Sequence, residues 1–119
     1  MEKEIQHFEN RAGGKGWIHI EHLLSKEDMN EMVKMYARVT IDPHASIGYH
    51  QHVDDGESYC IIHGTGMYTE DDKTWKVSEG DITWTPSSHS HGIENIGEEP
   101  LVLIALILKK KINRVEGRN

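Results

Sequence analysis

Short stretches in which apolar and polar residues alternate constrain the fold of this chain more than any other feature. The clearest runs from Val33 to Ile41, where every second residue is apolar. A period of two places one face of a strand against a core. Turn-forming pairs such as Asp42-Pro43 and Gly80-Asp81 separate stretches of this kind. Many short antiparallel strands joined by tight turns predict an all-β sandwich or barrel.

Two hairpins and one short helix are expected between these strands. Asp54-Asp55-Gly56 separates β-rich residues 46–53 from 57–63, and Asp-Gly between strands is a strong hairpin signal. The EDDK sequence at residues 70–73 indicates a second hairpin, between residues 66–69 and 74–77. Ser25 followed by Asp28 resembles a helix N-cap, with room for only a turn or two of helix.

A chain of 119 residues is long enough for one hydrophobic core and too short for two ordinary domains. We expect an N-terminal arm at residues 1–16, a single barrel domain at 17–108 and a polar C-terminal tail at 109–119. The arm contains three glycines near its end, and such an arm can pair with the edge of a sheet.

Charge and hydropathy exclude several partners. The balance of 13 Lys plus Arg against 20 Asp plus Glu gives a net charge of −7, which argues against nucleic acid and anionic membranes. No apolar stretch resembles a signal peptide or membrane span, so we expect a cytoplasmic protein. A lone cysteine, Cys60, cannot form an internal disulfide.

The last strand, Leu101 to Leu108, is apolar on both faces. A strand of an antiparallel sheet with one solvated face should alternate instead. Either another segment or a second subunit must therefore cover the outer face of this strand.

Histidine is the unusual component, and four of the nine histidines form two His-x-His pairs, His50/His52 and His89/His91. His50 and His52 leave a strand on the same face, and a hairpin at residues 54–56 would return Glu57 beside His52. His91 reaches that point only if the sheet closes as a barrel. Three imidazoles and one carboxylate suit one divalent ion of manganese, iron, nickel, cobalt or zinc.

This pattern resembles both sequence motifs of the cupin superfamily. The first, G-x5-H-x-H-x3 or 4-E-x6-G, is matched by His50, His52, Glu57 and Gly64. The second, G-x5-P-x-G-x2-H-x3-N, is matched by Gly80, Pro86, His91 and Asn95. Two positions depart from the motifs: His44 and Ser88 stand where the family has glycine. Neither is a metal ligand, so the metal site implied by the resemblance is retained.

The resemblance covers about Val33 to Leu108. It implies a jelly-roll barrel of two antiparallel sheets, a metal inside the barrel toward one mouth, and frequent dimerisation. The doubly apolar last strand independently favours a homodimer.

Alternation also suggests which residues shape the pocket. From Glu57 it directs Tyr59 and Ile61 inward, and Cys60 outward as a packing thiol. Tyr68, Ile82 and Trp84 are candidates by the same reasoning, although each could equally belong to the core, which we favour for Ile82. Ile47, three residues before the first metal histidine, completes the set of candidates. His44 is expected in a turn, His89 in a loop and His63 at a solvent-exposed strand end.

The reaction stays open at this point. The chain is similar to small stand-alone, oxalate-decarboxylase-like cupins, but those carry Arg where Ile47 stands here. Arg11, Arg114 and Arg118 lie in the predicted terminal segments, and Arg38 lies on the face of its strand opposite the apolar one. We therefore expect no arginine that could bind a dicarboxylate through two parallel hydrogen bonds.

Two functions are compatible with the pattern. One is a metal-dependent isomerase, lyase, decarboxylase or dioxygenase that acts on a small carboxylate, hydroxy or sugar-type molecule. The other is a non-catalytic module that binds or senses a small molecule through a structural metal.

Overall fold

The pairing of alternating strands builds two antiparallel sheets, which a computed structural model describes for residues 4–110. One sheet has the order β1-β2-β3-β10-β5-β8 and the other β4-β9-β6-β7. The strands are β1 Ile5–Glu9, β2 Trp17–His22, β3 Val33–Ile41, β4 Ser46–Gln51, β5 Asp55–His63, β6 Thr65–Glu70, β7 Lys73–Ser78, β8 Ile82–Thr85, β9 Ser90–Asn95 and β10 Leu101–Lys109. The predicted all-β fold of two antiparallel sheets is confirmed.

The core lies between the two sheets. It is formed by the inward-facing residues of the alternating strands, among them Ile18, Val39, Ile41, Ile61, Tyr68, Ile93, Leu101 and Leu103. Within residues 4–110, no helix is long and apolar enough to cross a bilayer.

Strand β10 lies in the middle of the larger sheet, between β3 and β5. Leu103 pairs with Val39 on one side and with Ile61 on the other. Leu101, Leu103 and Ala105 are fully buried, whereas the residues between them are half-buried on the outer face. The inner face of β10 is apolar because it packs in the core between the sheets. The core does not cover the apolar outer face of β10.

The two predicted hairpins have different outcomes. Strands β6 and β7 form the hairpin expected at residues 70–73, with Glu70 paired to Lys73. The hairpin expected at residues 54–56 is wrong, because β4 belongs to the smaller sheet and β5 to the larger one. The chain crosses between the sheets here. A Cβ on Gly56 would lie 2.6 Å from the Trp84 ring, so this glycine permits close packing of β5 against the Trp84 side chain of β8.

The only α-helix in residues 4–110, α1, spans Lys26–Met29 and has the predicted N-cap. The Ser25 hydroxyl accepts a hydrogen bond of 3.1 Å from the Asp28 backbone N–H. In the predicted arm, Ile5–Glu9 pairs with Trp17–Glu21 at the edge of the larger sheet, and a 3-10 turn, Arg11–Gly13, follows. Residues 1–3 and 111–119, which include most of the predicted tail, lie outside the described residues.

The two departures from the cupin motifs occupy left-handed backbone. His44 has φ 65° and Ser88 has φ 76°, a region that glycine adopts at little cost and residues with a Cβ adopt rarely. Glycines in these motifs therefore serve the backbone rather than the metal, which explains why the fold tolerates their replacement at a modest energetic cost.

Candidate metal centre

The two His-x-His stretches lie side by side on β4 and β9. His50 pairs directly with His91 in the antiparallel register. Beyond the end of β4, the His52 N–H donates to the His89 carbonyl at 3.0 Å, and the Ser88 N–H donates to the His52 carbonyl at 2.7 Å. Backbone hydrogen bonds thus fix the two histidine pairs against each other.

A β-bulge precedes His50. Ile47 pairs with Ile93 and His50 with His91, so three steps on β4 span only two on β9. A bulge lets two residues at an odd separation share one face of a strand. Ile47 and His50 consequently both line the same cavity.

Four side chains converge inside the barrel mouth, and we refer to His50, His52, Glu57 and His91 as the four-residue cluster. Their ligand atoms all lie within 4.8 Å of one another. The His52 Nε2 lies 2.9 Å from Glu57 Oε1 and 2.9 Å from His91 Nε2. The His91 Nε2 lies 3.0 Å from the same Glu57 oxygen. Adjacent ligands at right angles around an ion with bonds of about 2.1 Å are separated by about 3.0 Å, so the cluster is able to bind a metal.

The second nitrogen of each histidine on β4 and just beyond it has its own partner. The His50 Nδ1–H donates to the Gly48 carbonyl at 2.7 Å. The His52 Nδ1 lies 2.7 Å from the buried Asp55 carboxylate, which also receives a 2.8 Å hydrogen bond from Lys34. Partners of this kind orient metal-binding imidazoles, and here they leave both Nε2 atoms for the cluster.

The His91 ring is fully buried and is held from three sides. Its Nδ1 lies 2.9 Å from the Tyr68 hydroxyl and 2.9 Å from the Thr85 hydroxyl. Both hydroxyls lie near Glu70 Oε1, at 3.3 and 3.5 Å. The Tyr59 ring stacks on the imidazole with centroids 4.9 Å apart. The orientation of His91 is therefore fixed by packing as well as by hydrogen bonds.

The electrostatics of the cluster favour a cation between its ligands. Burial raises the pKa of Glu57, but hydrogen bonds from His52 and His91 outweigh that effect and hold it below the usual 4.5. Hydrogen bonding to Glu57 raises the pKa of His52 above 6.5, although burial opposes the rise. Burial lowers the pKa of His50. Glu57 is thus ionised and His50 neutral at neutral pH, the forms in which both residues bind metals.

A cavity of about 430 Å³ opens beside the cluster. Its wall is mostly apolar and is formed by Arg11, Ala12, Ile18, Ile20, Met35, Val39, Ile47, Tyr59 and Ile107, with His50, His52 and Glu57 at its base. Among the candidate pocket residues, Ile47 and Tyr59 lie on this wall. Ile61 and Tyr68 are buried in the core instead.

The predicted orientation of strand β8 is wrong. Trp84, a candidate for the cavity wall, is 48% exposed, and Ile82, expected in the core, is 71% exposed. They pair with Ser58 and Cys60, which face outward on β5. Thr83 and Thr85 face inward in their place. Hydrophobicity alone predicts that Ile82 and Trp84 face inward. In the structure the inward-facing Thr85 hydroxyl lies against His91 instead.

Six of the nine histidines lie outside the cluster, and among these His44, His63 and His89 form pairs with acidic residues of nearby turns and loops. His89, in the turn after Pro86, contacts the exposed carboxylate of Asp71 through its Nδ1. His63 and His44 form exposed pairs with acidic residues of the loop before β10, with His63 2.8 Å from Glu99 and His44 2.9 Å from Glu98. Their expected places in a loop, at a strand end and in a turn agree with the structure.

Arg11 is the residue that the sequence misplaced. The sequence predicts that Arg11 lies in an N-terminal arm away from the pocket, but it lines the same cavity as His50, His52 and Glu57. The turn that carries Arg11 ends in Gly13 and Gly14 and folds against β4. The run of glycines was the available signal, since it allows close approach to another strand.

Comparisons with known proteins agree with this geometry. The family model described as the cupin domain matches residues 37–107. The chain is 37% identical over 103 residues to a protein of Thermotoga maritima named oxalate-binding protein, covering 87% of this chain and 85% of that protein.

Solved structures share the fold over most of their length. A crystal structure from Thermotoga maritima, described as a predicted oxalate decarboxylase, superposes with a TM-score of 0.87 at 36% identity, covering 91% of this chain and 94% of that chain. The cupin domain of Cnp3 from Schizosaccharomyces pombe superposes with a TM-score of 0.71 at 18% identity, covering 78% of this chain and 61% of that one. The second likeness concerns the fold alone.

Proposed function

The chain belongs to the cupin family, and on that premise we propose that it binds a small carboxylate such as oxalate on one divalent metal ion. His50, His52, Glu57 and His91 would hold the ion. The observation that carries the proposal is the convergence of two Nε2 atoms and one carboxylate oxygen at 2.9 to 3.0 Å, with His50 beside them.

The chemistry of the four ligands limits which ion the site can hold. Three imidazoles and one carboxylate fit manganese, iron, nickel, cobalt or zinc better than calcium or magnesium, which prefer oxygen ligands. When bound, such an ion supplies Lewis acidity that draws the oxygens of a small anion to it.

The surrounding residues suit a small ligand. Ile18, Ile20 and Val39 line the cavity with apolar surface. Burial raises the pKa of Tyr59 well above 10, so its hydroxyl stays protonated and neutral. A site of about 430 Å³ with few polar groups is in the usual size range for small-molecule sites. The name of the Thermotoga maritima relative supports oxalate as the first ligand to test.

Binding is favoured over turnover by the scarcity of proton-transfer groups. Decarboxylation of oxalate breaks its C–C bond, and the carbon that becomes formate must receive a proton. Apart from the four-residue cluster, the described residues of the cavity wall offer only Tyr59 and Arg11 as polar side chains. Neither exchanges a proton readily near neutral pH, because the pKa of Tyr59 is raised and arginine stays protonated.

The proposal is tested by loading the purified protein with each of the five metals and titrating it with oxalate in a calorimeter. We expect one ion per chain and oxalate binding that disappears when a chelator removes the ion. Formate and carbon dioxide are measured in parallel, in air and under nitrogen, and neither should accumulate.

Two results would contradict the proposal in different ways. Metal-independent oxalate binding would exclude the four-residue cluster as the binding site. Catalytic release of formate or carbon dioxide would make the protein an enzyme rather than a binding protein.

We further propose that a second copy of the chain covers the outer face of the larger sheet. An outer patch is formed there by Cys60, Ile82, Trp84, Ile104 and Leu106, which are half-buried or exposed. Cross-strand pairing of Ile82 with Cys60, and of Cys60 with Ile104, makes the patch contiguous. Contiguous apolar surface of this kind marks interaction sites.

Sedimentation velocity tests this homodimer. Ile82→Arg should convert a dimer into a monomer, whereas Met32→Arg, at an exposed apolar residue that does not belong to the patch, should not. A wild-type monomer at all concentrations would contradict the homodimer.

The cytoplasmic location stays a prediction from the sequence.

A further inference from the structure

Arg11, which is exposed, places a positive charge at the wall of the cavity beside the cluster. It lies on the cavity wall together with His50, His52 and Glu57. Of the described residues that line this cavity, Arg11 alone carries a charge that stays positive at every physiological pH. A metal ion and Arg11 together outweigh the single negative charge of Glu57, so the cavity would attract an anion.

The turn that carries Arg11 has a defined shape. The Asn10 N–H donates to the Gly16 carbonyl at 2.9 Å, and the Gly16 N–H donates to the Asn10 side chain at 3.1 Å. Asn10, Ala12 and Gly13 all have left-handed backbone, with φ values of 58°, 55° and 79°. Asparagine tolerates this region and glycine adopts it freely, but Ala12 holds it only because the surrounding structure imposes it.

Close packing against β4 supplies that constraint. A Cβ on Gly48 would lie 2.1 Å from the Ala12 carbonyl oxygen, and one on Gly14 would lie 2.3 Å from the Ser46 carbonyl oxygen. The Ser46 N–H donates to the Lys15 carbonyl at 2.7 Å. Because the Gly48 carbonyl also accepts the hydrogen bond of His50, the same segment of β4 positions a cluster histidine and the turn of Arg11.

The side chain of Arg11 is supported without being neutralised. Its guanidinium carbon lies 4.2 Å from the centroid of the Phe8 ring, and Phe8 packs against the core. Stacking on an aromatic ring leaves the N–H groups at the edge of the guanidinium plane available. Arg11 forms no salt bridge with any carboxylate of residues 4–110.

We propose that Arg11 is a specificity residue, which selects anionic ligands by binding a carboxylate group of the molecule held at the metal. This inference rests on the proposed function. A guanidinium binds a carboxylate through two parallel hydrogen bonds, which a neutral ligand cannot provide. The N-terminal arm thereby completes a site whose other polar residues come from the barrel.

The test compares two probes on the metal-loaded protein. Oxalate is anionic and imidazole is a neutral ligand that needs only the metal. Loss of hydrogen bonds to a charged group should weaken oxalate binding to Arg11→Gln roughly 10- to 100-fold. Imidazole affinity and metal affinity should be unchanged in this variant. Arg11→Lys should bind oxalate with an intermediate affinity, because it keeps the charge but not the paired geometry.

Arg38→Gln is the matched control, since Arg38 pairs with Glu21 and lies outside the cavity. It should bind both probes as the wild type does. If Arg11→Gln binds oxalate as tightly as the wild type, or loses both probes together, the role of Arg11 is wrong while the metal site stands. If metal-loaded wild type does not bind oxalate, the proposed ligand is wrong and the role of Arg11 falls with it.

Discussion

The two His-x-His pairs have the same spacing and lie on neighbouring chain segments, yet the structure uses them differently. Both histidines of the first pair, His50 and His52, belong to the four-residue cluster. In the second pair only His91 does, while His89 faces the exposed Asp71. His52 and His89 are even joined through their backbones by a hydrogen bond of 3.0 Å.

The difference follows from backbone conformation and from the carboxylates nearby. His52 lies against two buried carboxylates, Glu57 at 2.9 Å and Asp55 at 2.7 Å. His89 follows the left-handed Ser88 in a turn, and its partner Asp71 sits in the exposed turn between β6 and β7. Spacing thus selects candidate ligands, but the burial of the partner decides which histidine joins a metal site.

The largest expected effect separates the members of the second pair. His91→Ala removes a fully buried ligand and should reduce metal affinity by more than about 100-fold, beyond the range typical of outer-shell partners. His89→Ala should leave metal affinity unchanged. Both affinities are measured by competition with a chelating dye. Equal effects of the two substitutions would remove the distinction between the pairs.

The next effect concerns the buried carboxylate behind His52. Asp55→Asn weakens the acceptor that orients the His52 ring and leaves Lys34 without its anion. Metal affinity should fall roughly 10- to 100-fold. Asp54→Asn is the control, because Asp54 is exposed and its φ of 62° is well tolerated by asparagine. An unchanged affinity in Asp55→Asn would contradict the orienting role.

A smaller effect appears in the pH dependence of the metal-free protein. The folded-state pKa of His52 is raised above 6.5, so its contribution to stability is complete below pH 6.5 and is lost as pH rises through the folded value. The pKa of Glu57 is lowered below 4.5, so its contribution is complete above pH 4.5 and is lost as pH falls through the folded value. Their joint contribution should be greatest between these limits.

Urea unfolding of metal-free protein across this pH range measures the contribution. His52→Ala should flatten the loss of stability above pH 6.5, whereas His89→Ala should not, because exposed ion pairs contribute little. The stability of metal-loaded protein should instead rise with pH near neutral pH, because protons compete with the ion for the histidines. A metal-free protein whose stability rises steadily above pH 6.5 would contradict the described pairing.

The smallest effect concerns the backbone just before the second pair. Ser88→Gly relieves the left-handed φ of 76° and should raise the free energy of unfolding by up to about 1 kcal/mol. Metal affinity should not change, because Ser88 contributes its backbone N–H to His52 and no ligand atom. Thermal unfolding with and without metal checks both expectations. A destabilised Ser88→Gly protein would show that the serine side chain has a role of its own.

Much of the fold and the cluster could be predicted from the sequence because both depend on local periodicity and on closely spaced motifs. The alternation of Val33 to Ile41 gave β3 its bounds, and the EDDK turn gave the β6–β7 hairpin. The four metal-ligand candidates meet as expected. His50 and His91 share a face because β4 and β9 are paired directly.

The remaining features depend on long-range choices that no local pattern contains. Turn residues at 54–56 do not reveal whether the next strand pairs with its predecessor or crosses to the other sheet. Alternation on β8 is equally compatible with Thr83 or Ile82 facing inward, and hydrophobicity indicated the wrong one. Arg11 reaches the cavity only because Gly14 and Gly48 allow the arm to pack on β4, a contact between segments far apart in the sequence.

The central claim is that one metal ion sits among His50, His52, Glu57 and His91. Anomalous diffraction from crystals of the purified protein, collected at the absorption edge of the metal found by elemental analysis, tests it most directly. We expect one strong peak per chain, bounded by the three Nε2 atoms and the Glu57 carboxylate. A fully loaded crystal with no peak there, or with its peak between His89 and Asp71, would contradict the account.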